Sequence, residues 1–348
     1  MFKTATKSFP SGVSVNSTGV RAFQDDVWIL VEDGEFKGMT MIADRNSGDV
    51  VGLSATTCSN EEKKNEFPSL NDFPNLKVVD LHNYRYMISL HESIGNLSSL
   101  ERLILSRCDL LKTLPPTIGK LKNLVELDLF DSYQIAELPE EISGLQSLKR
   151  LRFGGSSGVA NKSLTYLPES LGDLTCLEEL YLDKCKSLRT IPSSIGKLKN
   201  LTKLFLRECK SLTVLPPSLA ACSNLVEMSL LKCISLKSLP QDIGRLKYLE
   251  ELVCMKCKSL RQLPTSIGCC EFLAVLDLRF CKSLMFLPHE IGNLNRLRSL
   301  QLGNCSSLVE IPELVGHLAK LEVFQIDNCS SLKDIPASCI HLLLETKS

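Results

Sequence analysis

Eight of the fifteen cysteines recur at one place in a pattern: Cys108, Cys185, Cys209, Cys233, Cys257, Cys281, Cys305 and Cys329. From Cys185 onward each follows the last by 24 residues, and four of them open the tetrapeptide CKSL. Thiols in register raise three chemistries. Four sulfurs on a tetrahedron, each about 2.3 Å from the ion, would hold zinc. Two with Cβ atoms about 3.5–4.5 Å apart and inclined toward each other would form a disulfide. A reactive, redox-active thiol is the third. Which of these is open to the chain depends on how the intervening residues set one cysteine relative to the next.

No other group of residues makes a catalytic constellation. His82, His91, His289, His317 and His341 fall at unlike places in the pattern, so no metal set is expected of them. The stretch FGGSSGV at 153–159 has the glycines of a phosphate cradle but no following Lys. No phosphate-binding loop, kinase set or H-E-x-x-H occurs. An enzyme is not expected, and no cofactor.

The cysteines are positioned by a repeat. Units open at Leu76, Leu100, Leu124, Leu148, Leu177, Leu201, Leu225, Leu249, Leu273, Leu297 and Leu321, each reading LxxLxLxxCxSLxxLPxxIGxLxx. The fourth is 29 residues long, with five extra in GGSSGVANKS. LxxLxL alternates apolar and polar with period two, as a strand buried on one face does. IGxL and the following Leu place apolar side chains three or four apart, which suits a helical or 3₁₀ turn. Leu-Pro ends the intervening segment where no ladder donor is needed. One unit cannot bury its own edge, but stacked units lay their strands side by side in one parallel sheet. About eight apolar positions per unit line up, each worth roughly 1.5–3 kcal/mol when buried.

In such a stack the cysteines, all at the ninth position, form a row with ~4.8 Å between neighbours and parallel side-chain vectors. Tyr84, Ser132 and Ser156 fill the place in the other units. A straight row is neither a tetrahedron nor a disulfide. The expectation is a scaffold: each thiol lies under the loop and gives a weak hydrogen bond to a backbone carbonyl, with the Ser two places on tying down loop backbone.

The LPxxIGxLxxLxxLxLxxC pattern resembles the leucine-rich repeats of plant intracellular immune receptors and of related stand-alone plant and algal proteins, over residues 67 to 344. The resemblance implies an α/β solenoid: a horseshoe with a parallel β-sheet on the concave face and short helical or 3₁₀ turns outside. It implies an inward Asn or Cys ladder and a recognition role in defence or signalling. The receptors' nucleotide-binding module is not seen in this sequence.

Ahead of the repeats, residues 1–25 read as a disordered leader without an apolar signal core. Residues 26–58, with the single Trp28 and turn signals at Asp33-Gly34 and Asn46-Ser47-Gly48, read as a small β-meander or N-terminal cap. Residues 59–66 read as a charged linker, and 67–344 as the repeat domain. Forty basic residues balance forty acidic ones, so neither nucleic acid nor an anionic membrane is expected as partner. No apolar run approaches the ~18 residues of a membrane span. With no secretory signal, the cytoplasm, or else the nucleus, is the expected location.

Binding is expected on the open face of the sheet, where positions three, five and seven of each unit point. There Phe130, Tyr181, Phe205, Leu231, Val253 and Met255 would form one apolar patch, bordered by Lys203, Arg207, Glu227, Glu251, Arg279 and Phe280. An apolar centre with a charged rim suits a protein partner. The expected function is a non-catalytic interaction scaffold. The alternative is a substrate-selecting or regulatory subunit of an enzyme complex such as a ubiquitin ligase, against which counts the lack of an F-box-like segment ahead of the repeats.

Overall fold

The computed structural model describes residues 27–30, 40–43, 50–54, 66–155 and 160–345. The expected leader, and all of the expected linker but Glu66, lie outside them. Eleven repeats give eleven strands: β4 (Val78–Asp80), β5 (Arg102–Ile104), β6 (Glu126–Phe130), β7 (Arg150–Gly154), β8 (Glu179–Asp183), β9 (Lys203–Phe205), β10 (Glu227–Ser229), β11 (Glu251–Val253), β12 (Val275–Asp277), β13 (Ser299–Gln301) and β14 (Val323–Gln325). Three more precede them: β1 (Val27–Leu30), β2 (Thr40–Ala43) and β3 (Val50–Ser54). All fourteen make one sheet in chain order. β1, β2 and β3 pair antiparallel, and from β3 onward every pairing is parallel.

Alternation along each strand divides core from open face. In β9 and just beyond it, Leu204 and Leu206 are fully buried while Lys203 and Arg207 reach solvent. Matching positions pair across neighbours, as Lys203 with Glu227 and Phe205 with Ser229. A one-residue slip would turn every Leu outward, so the pattern locks the register.

The return path is a single 3₁₀ turn per unit. In the fifth unit it spans Ser193–Lys197, entered by Pro192 at φ −64°, ψ 152°, and closed by the Leu198 N–H on the Ile195 carbonyl. The fixed proline φ ends the extended segment, and a five-residue turn reverses the chain within the short unit. Such turns stack directly on one another. A Cβ on Gly196 would lie 2.5 Å from the Ser218 carbonyl oxygen of the next unit.

The cysteine row is a backbone fastening. Cys209, Cys233, Cys257, Cys281 and Cys305 each point Sγ at the sixth-position carbonyl of the preceding unit, at 3.0–3.1 Å. Ser132 does the same to Leu105 at 2.6 Å. Cys222 and Cys270 repeat the device on the turn side, toward the carbonyls of Ile195 and Ile243. Burial pushes the Cys222 thiol up to about 11 and that of Cys305 up to about 12, away from the thiolate that metal binding or redox chemistry needs. Ser187 and Ser259 tie loop backbone as expected, donating to the carbonyls of Lys162 and Ile234.

The fourth unit corrects the reading of the row. Ser156 lies outside the described residues, and the inward place belongs to Asn161, which is 0% exposed. Its amide donates to the Ile135 carbonyl at 2.8 Å, and its oxygen accepts from the N–H groups of Ser163 and Leu164. The five extra residues therefore precede the inward residue rather than follow it. Counting back from Leu167-Pro168 instead of forward from Leu148 finds Asn161.

Past ten of the eleven repeat strands the chain turns through a left-handed residue at the eighth position: Asn83, Arg107, Asp131, Lys184, Glu208, Lys232, Lys256, Phe280, Asn304 and Asn328 all have φ of 58–67°. Non-glycine residues rarely adopt this conformation. Here the N–H of that residue is held by the next unit, as Glu208 N–H on the Leu231 carbonyl at 2.6 Å.

Two outcomes test this scaffold. Thiol reagents on the native protein will label exposed Cys176 and Cys269 at once, and Cys209 to Cys305 only on unfolding, read by mass spectrometry after timed labelling. Gly196→Ala will lower stability by about 1–3 kcal/mol in urea denaturation, because the added methyl meets backbone that cannot move aside.

Candidate functional site on the concave face

Third positions of successive strands carry alternating charge: Arg102, Glu126, Arg150, Glu179, Lys203 and Glu227. The sheet sets them side by side, and they pair in sequence. Arg102 meets Glu126 at 3.0 Å, Arg150 meets Glu126 at 3.7 Å and Glu179 at 2.8 Å, and Lys203 meets Glu227 at 3.4 Å. Exposed pairs of this kind contribute little stability one by one. Their effect here is to fix one margin of the face as a neutral, ordered rank.

Beside it run the aromatic residues. The Arg152 guanidinium lies 5.2 Å from the Phe130 ring centre and 6.0 Å from that of Tyr181. Tyr181 packs on Phe205 with centroids 5.1 Å apart and planes at 39°. Arg207 covers the far side of Phe205 at 4.5 Å. The result is one continuous stack, Phe130, Arg152, Tyr181, Phe205 and Arg207, across four strands. Alternating cations and rings suit the ring quadrupole, and Arg is the cation that stacks best.

Within the stack, Tyr181 donates its hydroxyl to Glu179 at 2.9 Å. Burial and that bond push its phenol up to about 12, so it serves as a donor and not as a phenolate. Arg152 is anchored by Asp128 at 2.9 Å, whose other oxygen accepts the Phe130 N–H.

Leu231, Val253 and Met255 continue the surface on the next two strands and their exits, each half-buried. Phe205 is only 8% exposed, because Tyr181 and Arg207 cover it. Arg279 is held by Asp277 through two contacts of 3.0 and 2.7 Å. Phe280 sits on the left-handed turn beyond the strand, under the Lys256 ammonium at 5.1 Å, and so belongs to the rim's outer corner. Phe130, Tyr181, Phe205 and Arg207 thus form one contiguous body. Lys203 stands in the charge rank, and Arg279 with Phe280 stands apart. Arg152, which joins the halves of the stack, was missed: its fifth-position place among apolar neighbours was the available signal.

Toward the other end of the face lies a polar group. His82 Nδ1 and Ser106 Oγ are 2.8 Å apart, and Asp80 Oδ1 accepts the His82 N–H. Asp80 is 0% exposed, and its Oδ2 has no partner among the described residues. Burial raises its pKa against the opposing pull of the His82 N–H and nearby Arg102. Among the described residues no three His, Cys, Asp or Glu side chains are placed to hold a metal ion, and no helix is long and apolar enough to cross a membrane.

A folded-state pKa above the unfolded one means that the ionised carboxylate is penalised at neutral pH and relieved as pH falls. Asp80→Asn removes the charge and keeps the acceptor for His82. It will therefore raise the melting temperature at pH 7, and the gain over the wild-type chain will shrink as pH falls through the carboxylate range, measured by calorimetry.

Comparison with known proteins agrees with this architecture. Residues 53–187 match the family model of a leucine-rich repeat region. No curated protein sequence matches the chain. Among solved structures, the leucine-rich repeat domain of the type III effector XopL is 28% identical, with TM-score 0.52 over 64% of this chain and 73% of that one. A leucine-rich repeat protein of Leptospira interrogans is 26% identical at TM-score 0.47, over 82% of this chain and 81% of its own. A TDR receptor is 23% identical at TM-score 0.50, over 72% of this chain and 47% of its own. The matched region, the eleven stacked strands with their 3₁₀ turns and the likeness to the XopL domain show a leucine-rich repeat solenoid.

Proposed function

We propose that the chain is a protein-binding scaffold whose contact surface runs from Phe130 to Met255 on the concave face. The stack of Phe130, Arg152, Tyr181, Phe205 and Arg207 carries this reading. Aromatic and Arg side chains are the types that anchor protein interfaces, and here packing holds them in place before a partner arrives. Their neighbours Leu231, Val253 and Met255 supply apolar area beside the stack. The fold supports the same role, since a leucine-rich repeat solenoid fits an interaction scaffold.

The finer setting in this proposal is recognition in defence or signalling, as the repeat type resembles plant intracellular receptors. No observation favours the ligase-subunit alternative over it. A partner that is itself a ligase core would decide for that alternative.

The test is capture. Proximity labelling or pull-down from the source cell will recover a partner, and Tyr181→Ala with Leu231→Lys and Met255→Lys will lose it by tenfold or more. These positions are half-buried, so circular dichroism and melting temperature will stay close to the wild-type chain. Phe205→Glu is the poorer probe, because Phe205 is largely covered and its loss would disturb the stack itself. Unchanged capture by the triple variant would mean that binding lies elsewhere.

A further inference from the structure

Basic and acidic residues balance over the whole chain, but not along every part of its surface. From the eighth to the fourteenth position each unit leaves its strand and turns outward, and these exit segments stack along one edge. In the fifth to ninth units they read KCKSLRT, ECKSLTV, KCISLKS, KCKSLRQ and FCKSLMF, with ten basic residues and one acid, Glu208. In the first three units and the last two, the same segments hold four basic residues and five acids. There Arg85 meets Asp109 at 3.7 Å and Arg107 meets Asp131 at 3.5 Å, each across a seam. The chain-wide balance that argues against an anionic membrane thus averages over a basic edge.

Backbone hydrogen bonds set these cations in columns. Ser211 N–H meets the Lys186 carbonyl and Thr213 N–H the Arg189 carbonyl, both at 3.1 Å. Lys237 N–H meets the Thr213 carbonyl at 3.2 Å, and Met285 N–H the Arg261 carbonyl at 3.0 Å. The tenth positions therefore carry Lys186, Lys210, Lys258 and Lys282 in one line, broken by Ile234. The thirteenth carry Arg189, Lys237 and Arg261 in the next. None of these seven has an ion-pair partner among the described residues, and Glu208 is taken by Lys232 at 2.7 Å. Lys186 and Lys210 stand one seam apart, as do Lys258 and Lys282, and like charges so placed weaken a stack of strands. Folding gains nothing from this band. Val214, Met285 and Phe286 stand exposed on the same edge, among the cations.

We propose that this edge docks on a membrane surface rich in anionic lipid headgroups. Complementary charge calls for an anionic partner, and the chemistry of the band chooses among such partners. An acidic peptide cannot add here as a strand, because the N–H groups of Ser211, Thr213, Lys237 and Met285 are already spent on the neighbouring unit. Nucleic-acid bases stack on open aromatic faces, and the Phe280 ring is covered by the Lys256 ammonium at 5.1 Å. A headgroup layer needs neither strand donors nor stacking faces. Five of the seven unpaired cations are Lys, whose ammonium is a point charge on a flexible stem and accepts any partner geometry. The gaps at Ile234 and Thr213 do not matter to a fluid layer. Exposed Val214, Met285 and Phe286 would lie at the acyl boundary, where apolar side chains flanked by cations hold a protein on a bilayer without crossing it. The strands run toward this edge, so the concave face stands to its side and stays open to a protein partner. The inference goes beyond the binding role proposed above and does not depend on it.

Flotation of the full chain with vesicles is the test. At ~0.1 M salt the chain will float with phosphatidylcholine vesicles carrying ~30% phosphatidylserine, and will stay behind with pure phosphatidylcholine. The bound fraction will fall several-fold by ~0.5 M salt. Lys186→Gln with Lys210→Gln, Lys258→Gln and Lys282→Gln will weaken binding by about tenfold or more, with unchanged circular dichroism and no loss of melting temperature. The same change of four charges on the turn side, Lys120→Gln with Lys122→Gln, Lys197→Gln and Lys320→Gln, will weaken it by less than about threefold. Phe286→Trp, read as a difference from the wild-type chain, will shift its emission to the blue on the anionic vesicles. A chain that stays behind with both kinds of vesicle overturns the proposal, as would happen if the band took only an acidic polypeptide or a nucleic acid. So does equal binding by the two quadruple variants, or an emission from Phe286→Trp that does not move.

Discussion

Each unit of this chain holds half of a set of backbone hydrogen bonds, and the other half lies in the next unit. A strand of three residues and a single 3₁₀ turn form no stable body alone, because neither buries its apolar side nor pairs its polar groups. Stacking satisfies both at once. The carbonyl of one sixth position takes the sulfhydryl of the following unit, the N–H beside it takes a carbonyl, and the leucines close over the seam. Everything else in the molecule follows from keeping that seam in register. Glycine stands where turns meet backbone, proline where a donor would be wasted, and cysteine, serine or asparagine where the chain bends inward.

The same stacking decides what the open face can be. Strands one seam apart bring equivalent positions side by side, so any property shared by a column becomes a line on the surface. From Arg102 to Glu227 the third-position column became a line of alternating charges that pair with one another. The fifth and seventh positions became a ribbon in which guanidinium and aromatic groups interleave. Because the charges are internally matched, the ribbon is left as the face's distinctive chemistry, and its rigidity comes from the sheet beneath it.

How legible this was in the sequence depends on the column. The solenoid, its parallel sheet, the 3₁₀ returns and the buried thiols were all readable, since each is a periodic feature with one physical explanation. The apolar members of the patch were readable too, because alternation assigns them to the open side. What the period could not reveal was coupling between unlike side chains. Arg152 joining Phe130 to Tyr181, and Arg207 covering Phe205, depend on side-chain reach, not on spacing. Phe280 was placed on the rim although the eighth position is a left-handed corner. Asn161 was hidden by the insertion, which shifted the frame by five residues just where the inward residue was to be counted.

The left-handed corners bear on how this chain can change. Ten side chains occupy them, nine charged or amide and one aromatic, none of them glycine. Each holds a conformation disfavoured by about 1–2 kcal/mol, imposed by the seam and not chosen by the residue. That rank is a distributed reserve of tension, and any member given to glycine would relax a little of it. A lineage could therefore adjust the stiffness of the arc in small steps, one corner at a time.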